Sequence, residues 1–289
     1  MPDYASGATR RERRRALTGL ALLVPAAVVA ALFLYYPLAF IVQMSFTLAN
    51  SYLSPAGPTT TVANYEAMVS RYLPNLAVTI RLAGLATVAD LIFGVPFAYI
   101  LVRKVRYRDL VRALMAFPLF GVLYLSFGLS FIFLPDTFFG KILVALGFNP
   151  VNFLYSTPTV LFALAVGTFP FMVVNVATAL QNVDVTLEEA AAALGANGWQ
   201  TFTRVLLPLT RSGLLAGSLM CFGWNLGVYI VPLLLGTTDD QNVLAVNMYI
   251  KAVKNNDYGM AAAQGIVLML LASVVTYVSL RYSRGALAE

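Results

Sequence analysis

Six long apolar runs recur along the chain, over about 16–44, 76–102, 110–134, 157–180, 212–235 and 259–280. Each reaches or exceeds the roughly 20 residues a helix needs to cross a bilayer. The runs are about twice the length of a barrel strand and do not alternate between apolar and polar positions. Backbone groups in lipid must be satisfied within the segment, which favours helices. The pattern therefore predicts an all-α, polytopic membrane helix bundle with six transmembrane helices. The first run is long enough to tilt or to extend beyond the hydrocarbon. It also exceeds the 7–15 apolar residues of a signal peptide, so it reads as a span and not as a cleaved leader. A mixed segment, 236–258, separates the fifth and sixth runs, and its 243–253 part predicts a short interfacial helix.

Composition agrees. Of 289 residues, 60% are apolar and 11% charged, and the mean hydropathy is +0.78. Ordinary soluble domains are roughly 45–50% apolar and about 25% charged. A soluble globule and a disordered chain are both excluded. There is one cysteine, Cys221, and no histidine. An intrachain disulfide is impossible, a zinc or haem site lacks its preferred ligands, and histidine acid–base chemistry is absent.

Charge sets the orientation. Fourteen of the 19 Lys and Arg residues fall before run one, between runs two and three or in the first turn of run three, between runs four and five, or after run six. Short cytoplasmic loops carry such an excess, so both termini are expected in the cytoplasm. The asymmetry accounts for the basic balance without a nucleic-acid partner. Residues 1–15 read as a basic cytoplasmic tail, 16–284 as the membrane domain and 285–289 as a C-terminal tail.

The loop 182–211 is the most informative stretch. Thr186 and Glu189 have the spacing of a capping box, and the Leu and Ala residues after them favour helix. Gly195 or Asn197-Gly198 predicts its end. A second helix, 199–206, is expected to run to Pro208, which interrupts it. Physics alone reads this as an amphipathic hairpin that connects two spans, with a small-residue face open to close packing.

Glu189-Ala190-Ala191, three residues, Gly195, nine residues, then Val205-x-Leu207-Pro208 resembles the EAA loop of permease subunits in binding-protein-dependent ABC importers. The fixed positions of that pattern all match, except that Val205 replaces Ile. Tyr36-Pro37-Leu38 and Ala63-Asn64-Tyr65 are similar to the same family. The resemblance implies a type I ABC importer (MetI-like) fold and a coupling helix that docks on a cytoplasmic ATPase. Carried over by position, Glu189, Ala190, Ala191, Gly195, Leu207 and Pro208 belong to that contact, with Glu188 beside them. An exposed charge pair contributes at most about 1 kcal/mol, so packing should dominate the contact. The resemblance further implies an ATPase dimer, a second permease subunit, identical or homologous, and an extracytoplasmic solute-binding protein as partners. This chain has no P-loop, because its only Gly-Lys, Gly140-Lys141, is followed by Ile142. ATP and Mg are therefore expected on the ATPase, with no cofactor and no catalysis here.

In the fourth run Thr168, Phe171, Asn175, Thr178 and Asn182 share one helical face, and in the fifth Ser218, Cys221, Asn225 and Tyr229 do the same. Polar groups inside a membrane helix face the bundle or a wet cavity. The stripes are candidates for the translocation pathway, with Phe171 and Trp224 as gate aromatics, and interhelical packing explains the same pattern. Gly213/Gly217 and Gly223/Gly227 have the spacing of close helix contacts, within the chain or with a second permease. Pro96, Pro170 and Pro232 are candidate kinks. Asp90 is the one carboxylate deep in a span, about 13 Å along the helix from Arg81. It is open to three roles: attracting a cationic solute, meeting a donor from a partner subunit, or standing protonated.

Within the family, 187–217 and 229–236 look closest to the polyamine branch, which also holds iron, thiamine, opine and aminophosphonate permeases. The expected function is half of the pathway of an ATP-driven importer in the bacterial inner membrane, for a polyamine or another amine-bearing solute. A sugar or polyol is the second substrate class. An independent secondary transporter would leave the loop motif unexplained, and an intramembrane enzyme lacks paired acids.

Overall fold

The computed structural model describes residues 24–25, 27–48, 59–105, 111, 121–150, 154–236 and 242–285, with side chains to Tyr277. The basic residues 10–15, Arg106, Arg108 and Arg112, the start of the third run and residues 286–289 lie outside the described residues.

Among the described residues the chain is helical, apart from one isolated antiparallel bridge between Thr47 and Thr60. In chain order the helices are α1 (Ala27–Ser45), α2 (Ala63–Arg71), α3 (Leu73–Arg103), α4 (Val122–Ile132), α5 (Phe138–Ala145) and α6 (Thr157–Gln181). There follow α7 (Thr186–Ala193), α8 (Gly198–Leu209), α9 (Arg211–Gly227), α10 (Ile230–Leu235), α11 (244–254) and α12 (Tyr258–Gly285). Four of them, α1, α3, α6 and α12, are long and apolar enough to cross a membrane, and α8 with α9 makes a fifth such stretch bent by 73°. The third run is represented by α4, whose eleven residues span roughly 17 Å.

Helices α3, α6 and α9 pack together as the centre of the bundle. Fully buried alanines, Ala83, Ala86 and Ala98 on α3 and Ala163 on α6, let their backbones approach. Helices α3 and α6 run unbroken through Pro96 and Pro170. Helix α1 packs on α12 at the rim. At its end Asn64 donates to the carbonyls of Ser45 (2.9 Å) and Thr47 (2.8 Å). Gly259 lies against the Thr47 carbonyl, where a Cβ would not fit.

Two expectations change here. The fifth run is not one helix: it breaks at Val228, whose backbone is extended, and resumes as α10. The 243–253 segment does form a helix, α11, but its start lies within the protein core and not on the surface. Val243, Leu244, Ala245 and Val246 are buried in the core. Asn75 donates to the Asn242 carbonyl (2.7 Å), and the Leu244 N–H donates to the Thr79 hydroxyl (2.8 Å). These bonds hold the segment inside the bundle, where hydropathy alone could not place it.

Candidate functional site

The hairpin of α7 and α8 is built by its caps. Thr186 does not cap α7; it sits inside the first turn and makes no capping bond to Glu189. The cap falls two residues earlier, where the Asp184 carboxylate accepts the Thr186 N–H at 2.9 Å. That bond holds the Asp184 carboxyl below the usual carboxylate range. A lowered folded pKa means the stabilisation is present above the ordinary carboxylate pKa and lost as pH falls. Gly195 ends α7 with φ +84°. The N–H groups of Gly195 and Ala196 return to the carbonyls of Ala192 (2.9 Å) and Ala191 (3.0 Å), closing a Schellman turn. Asn197 and Gln200 form the reciprocal capping box of α8. The Asn-x-x-Gln spacing of that box was visible in the sequence. Pro208 does not interrupt α8, which runs through it to Leu209 and turns at Thr210.

The expected contact residues separate by exposure. Glu189, Ala190, Gly195 and Pro208 are exposed, whereas Ala191 and Leu207 are half-buried. Glu188 turns inward and pairs with Arg103 at 2.7 Å. Leu187, Leu194 and Trp199 add exposed apolar side chains that the motif did not mark.

In the membrane region the two polar stripes divide. Thr168, Cys221 and Asn225 are buried and meet Asp90, which is also fully buried, at the junction of α3, α6 and α9. The Thr168 hydroxyl donates to Asp90 Oδ2 (2.7 Å) and accepts from Asn225 Nδ2 (3.3 Å), and Cys221 Sγ donates to the Thr168 carbonyl (3.4 Å). Asp90 Oδ1 and Asn225 Oδ1 have no hydrogen-bond partner among the described residues. Asp90 also borders a recess of about 590 Å³ between α3 and α6, otherwise lined by apolar side chains such as Phe93, Phe162 and Phe169.

The other stripe members lie on accessible faces. Phe171 and Trp224 face each other at 5.5 Å between ring centroids. Asn175 Nδ2 donates to the Phe171 carbonyl (2.8 Å) and lies 3.3 Å from Met220 Sδ, a residue outside the predicted stripes. Thr178 and Ser218 return their hydroxyls to the carbonyls of Val174 and Leu214. Tyr229, at the break after α9, stacks on Tyr249 of α11 at 5.1 Å. Asn182 is exposed just past α6.

The buried cluster supports a test. An amide at position 90 keeps an acceptor for Thr168, so Asp90→Asn should shift unfolding by less than about 1 kcal/mol, the usual scale of one interhelical hydrogen bond in a membrane. Thermal unfolding of the detergent-purified protein reads this directly.

Comparison with known proteins places the geometry in context. The family model described as binding-protein-dependent transport system inner membrane component matches residues 15–287. The spermidine/putrescine transport system permease protein PotB of Escherichia coli K12 is 29% identical over 259 residues, covering 88% of this chain and 93% of that protein. The molybdenum transport system permease protein ModB of the same strain is 31% identical over 162 residues, covering 52% and 66%. Among solved structures, a chain of a bacterial alginate ABC transporter aligns with a TM-score of 0.77 at 21% identity, covering 95% and 96%. A chain of the MetNI methionine ABC transporter aligns at 0.58 and 19%, covering 76% and 98%.

Proposed function

The chain belongs to the binding-protein-dependent transport system inner membrane component family, and from that premise we propose that it forms half of the pathway of a polyamine importer. It is a multi-pass inner-membrane permease subunit with the fold of ABC importer membrane subunits. The observation that carries the substrate class is the 29% identity to PotB across 88% of this chain. ATP hydrolysis is supplied by a separate ATPase dimer, which docks on the exposed face of α7 and the start of α8. A second permease completes the pore, and a binding protein delivers the solute at the opposite face. Both termini lie in the cytoplasm.

The accessible faces carrying Phe171, Asn175, Thr178, Ser218, Trp224 and Tyr229 line the pathway. The buried four, Asp90, Thr168, Cys221 and Asn225, tie α3, α6 and α9 together behind it. Their side chains are almost wholly buried, and polar residues bonded across helices serve as interhelical links.

The deciding experiment reconstitutes this chain with its ATPase, second permease and binding protein in liposomes and follows ATP-dependent uptake of labelled spermidine and putrescine. Uptake competed by unlabelled polyamine, and not by a sugar or molybdate, is the expected result. ATP-dependent uptake of another solute alone would overturn the substrate class, and a preparation without an ATPase would overturn the importer. In the same assay Asp90→Asn should keep uptake near wild type. A tenfold loss at normal yield would make Asp90 a solute contact.

A further inference from the structure

We propose that Arg103 is a positioning residue of the coupling mechanism: it fastens the docking helix α7 to the spans α3 and α6, so that displacement of the hairpin moves both. The inference rests on the ATP-driven reading above.

Arg103 is the last residue of α3. Its Nε lies 2.7 Å from Glu188 Oε1 in the first turn of α7. Its Nη2 donates to the Val183 carbonyl at 3.0 Å and lies 3.4 Å from the Leu180 carbonyl. Leu180 is in the last turn of α6 and Val183 just beyond it. One guanidinium therefore joins the ends of three elements. The side chains of Arg103 and Glu188 keep only 16% and 17% of their surface exposed, so water screens the pair less than an open surface pair.

The arrangement has a physical logic at each end. Carbonyls at a helix C-terminus lack intrahelical partners and carry partial negative charge, which suits a cation. The first turn of α7 carries the opposite sign, which suits Glu188. The guanidinium donates from Nη2 to the carbonyls while its Nε faces Glu188 as an ion pair, a spread that the single point charge of an ammonium does not offer.

The second leg of the hairpin is tied to the same span. Tyr99, one turn before Arg103, meets Phe202 of α8 edge-on at 5.5 Å. Leu206 is fully buried in the cluster that holds Leu101, Val102 and Leu180. The main chain alone would let the hairpin swing about the turn at Thr210, where α8 and α9 meet at 73°. The side-chain links remove that slack. The neighbouring acids thus divide their tasks, with Glu188 turned inward to Arg103 and Glu189 exposed on the outer face.

The test uses the complete reconstituted complex and three variants, Glu188→Gln, Arg103→Gln and the double change. Three quantities are read: ATPase co-purification, stimulation of ATPase by the loaded binding protein, and solute imported per ATP hydrolysed. Each single change should lower the import-to-hydrolysis ratio about tenfold with the ATPase still bound. The double change should be no worse than the weaker single, because the two groups act as one unit. Arg103→Lys should recover part of the ratio. Ratios within about twofold of wild type, losses that multiply in the double variant, or loss of the bound ATPase would each overturn the inference. A wild-type complex that carries no ATPase would overturn the importer reading itself, before any variant is made.

Discussion

Replacing Leu194 with Glu is expected to strip the ATPase from the purified permease while the permease itself stays folded. Leu194 is 89% exposed and Trp199 is 71% exposed, on a hairpin whose other surface residues include Asp184, Glu189 and Arg204. That surface is built for water, so its apolar members need another reason to be there. Contiguous exposed apolar side chains mark interaction sites. Loss of a central apolar anchor in an interface costs about 2 kcal/mol or more. A carboxylate forced into the same pocket without a partner adds a desolvation penalty. Affinity should therefore fall by at least about 30-fold. Folding should not suffer, because so exposed a side chain contributes little packing to its own chain. The control is Glu189→Gln, which removes one exposed charge and should cost less than about 1 kcal/mol. A gentle-detergent pull-down with an ATPase assay on the eluate checks both. Full recovery of ATPase with Leu194→Glu would show that docking uses another surface.

The contrast between those two residues also marks what a sequence can and cannot convey. The long spans α1, α3, α6 and α12 were legible because roughly 20 apolar residues in a row have few alternatives to crossing a membrane. Gly195 was legible because a helix end at positive φ selects glycine, and it stands there at φ +84°. Capping at Asp184 in place of Thr186 was not legible, since both residues are good caps and backbone geometry decides between them. The break at Val228 was hidden because apolar residues continue through it on both sides. The burial of α11 depends on bonds from Asn75 and Thr79, more than 160 positions away in the chain.

The candidate site follows the same rule. The motif located the hairpin and marked Glu189, leaving Glu188 only as its neighbour, and the folded chain turns Glu188 inward to Arg103. By sequence alone Arg103 is one of many loop charges that set orientation. Nothing in its neighbours announces that it ends a helix beside the carbonyls of Leu180 and Val183 at the end of another. The polar stripes were visible as periodicity, but which members meet Asp90 is fixed by how α6 and α9 are rotated against α3.

A large stability effect is expected at Gly213, where helix rotation becomes a matter of single atoms. A Cβ added there would lie 2.5 Å from the Ala179 Cβ and 2.8 Å from the Asn175 backbone oxygen. Backbone of α6 cannot yield as a flexible side chain does. Gly213→Val must therefore push α9 away from α6 or rotate it. Overpacking a tight core contact usually costs 1–3 kcal/mol, and here the obstacle is main chain, so a loss above about 3 kcal/mol is expected. Against a total of about 5–15 kcal/mol this should deplete folded protein. Gly217 is more forgiving, because its closest obstacle is the Met172 Sδ at 2.8 Å, the far part of an unbranched side chain. Gly223 and Gly227 meet nothing within 4 Å among the described residues, although their spacing repeats that of the first pair. Gly223→Ala should thus stay within about 0.5 kcal/mol of wild type. Monodisperse yield and thermal unfolding, read across Gly213→Val, Gly217→Ala and Gly223→Ala, should give that descending order. If Gly223→Ala keeps its yield but loses the second permease on pull-down, the second glycine pair faces that subunit. Normal yield of Gly213→Val would mean that α6 and α9 do not approach this closely. The turn at Thr210, three residues earlier, would then lack the fixed base that a coupled hairpin needs.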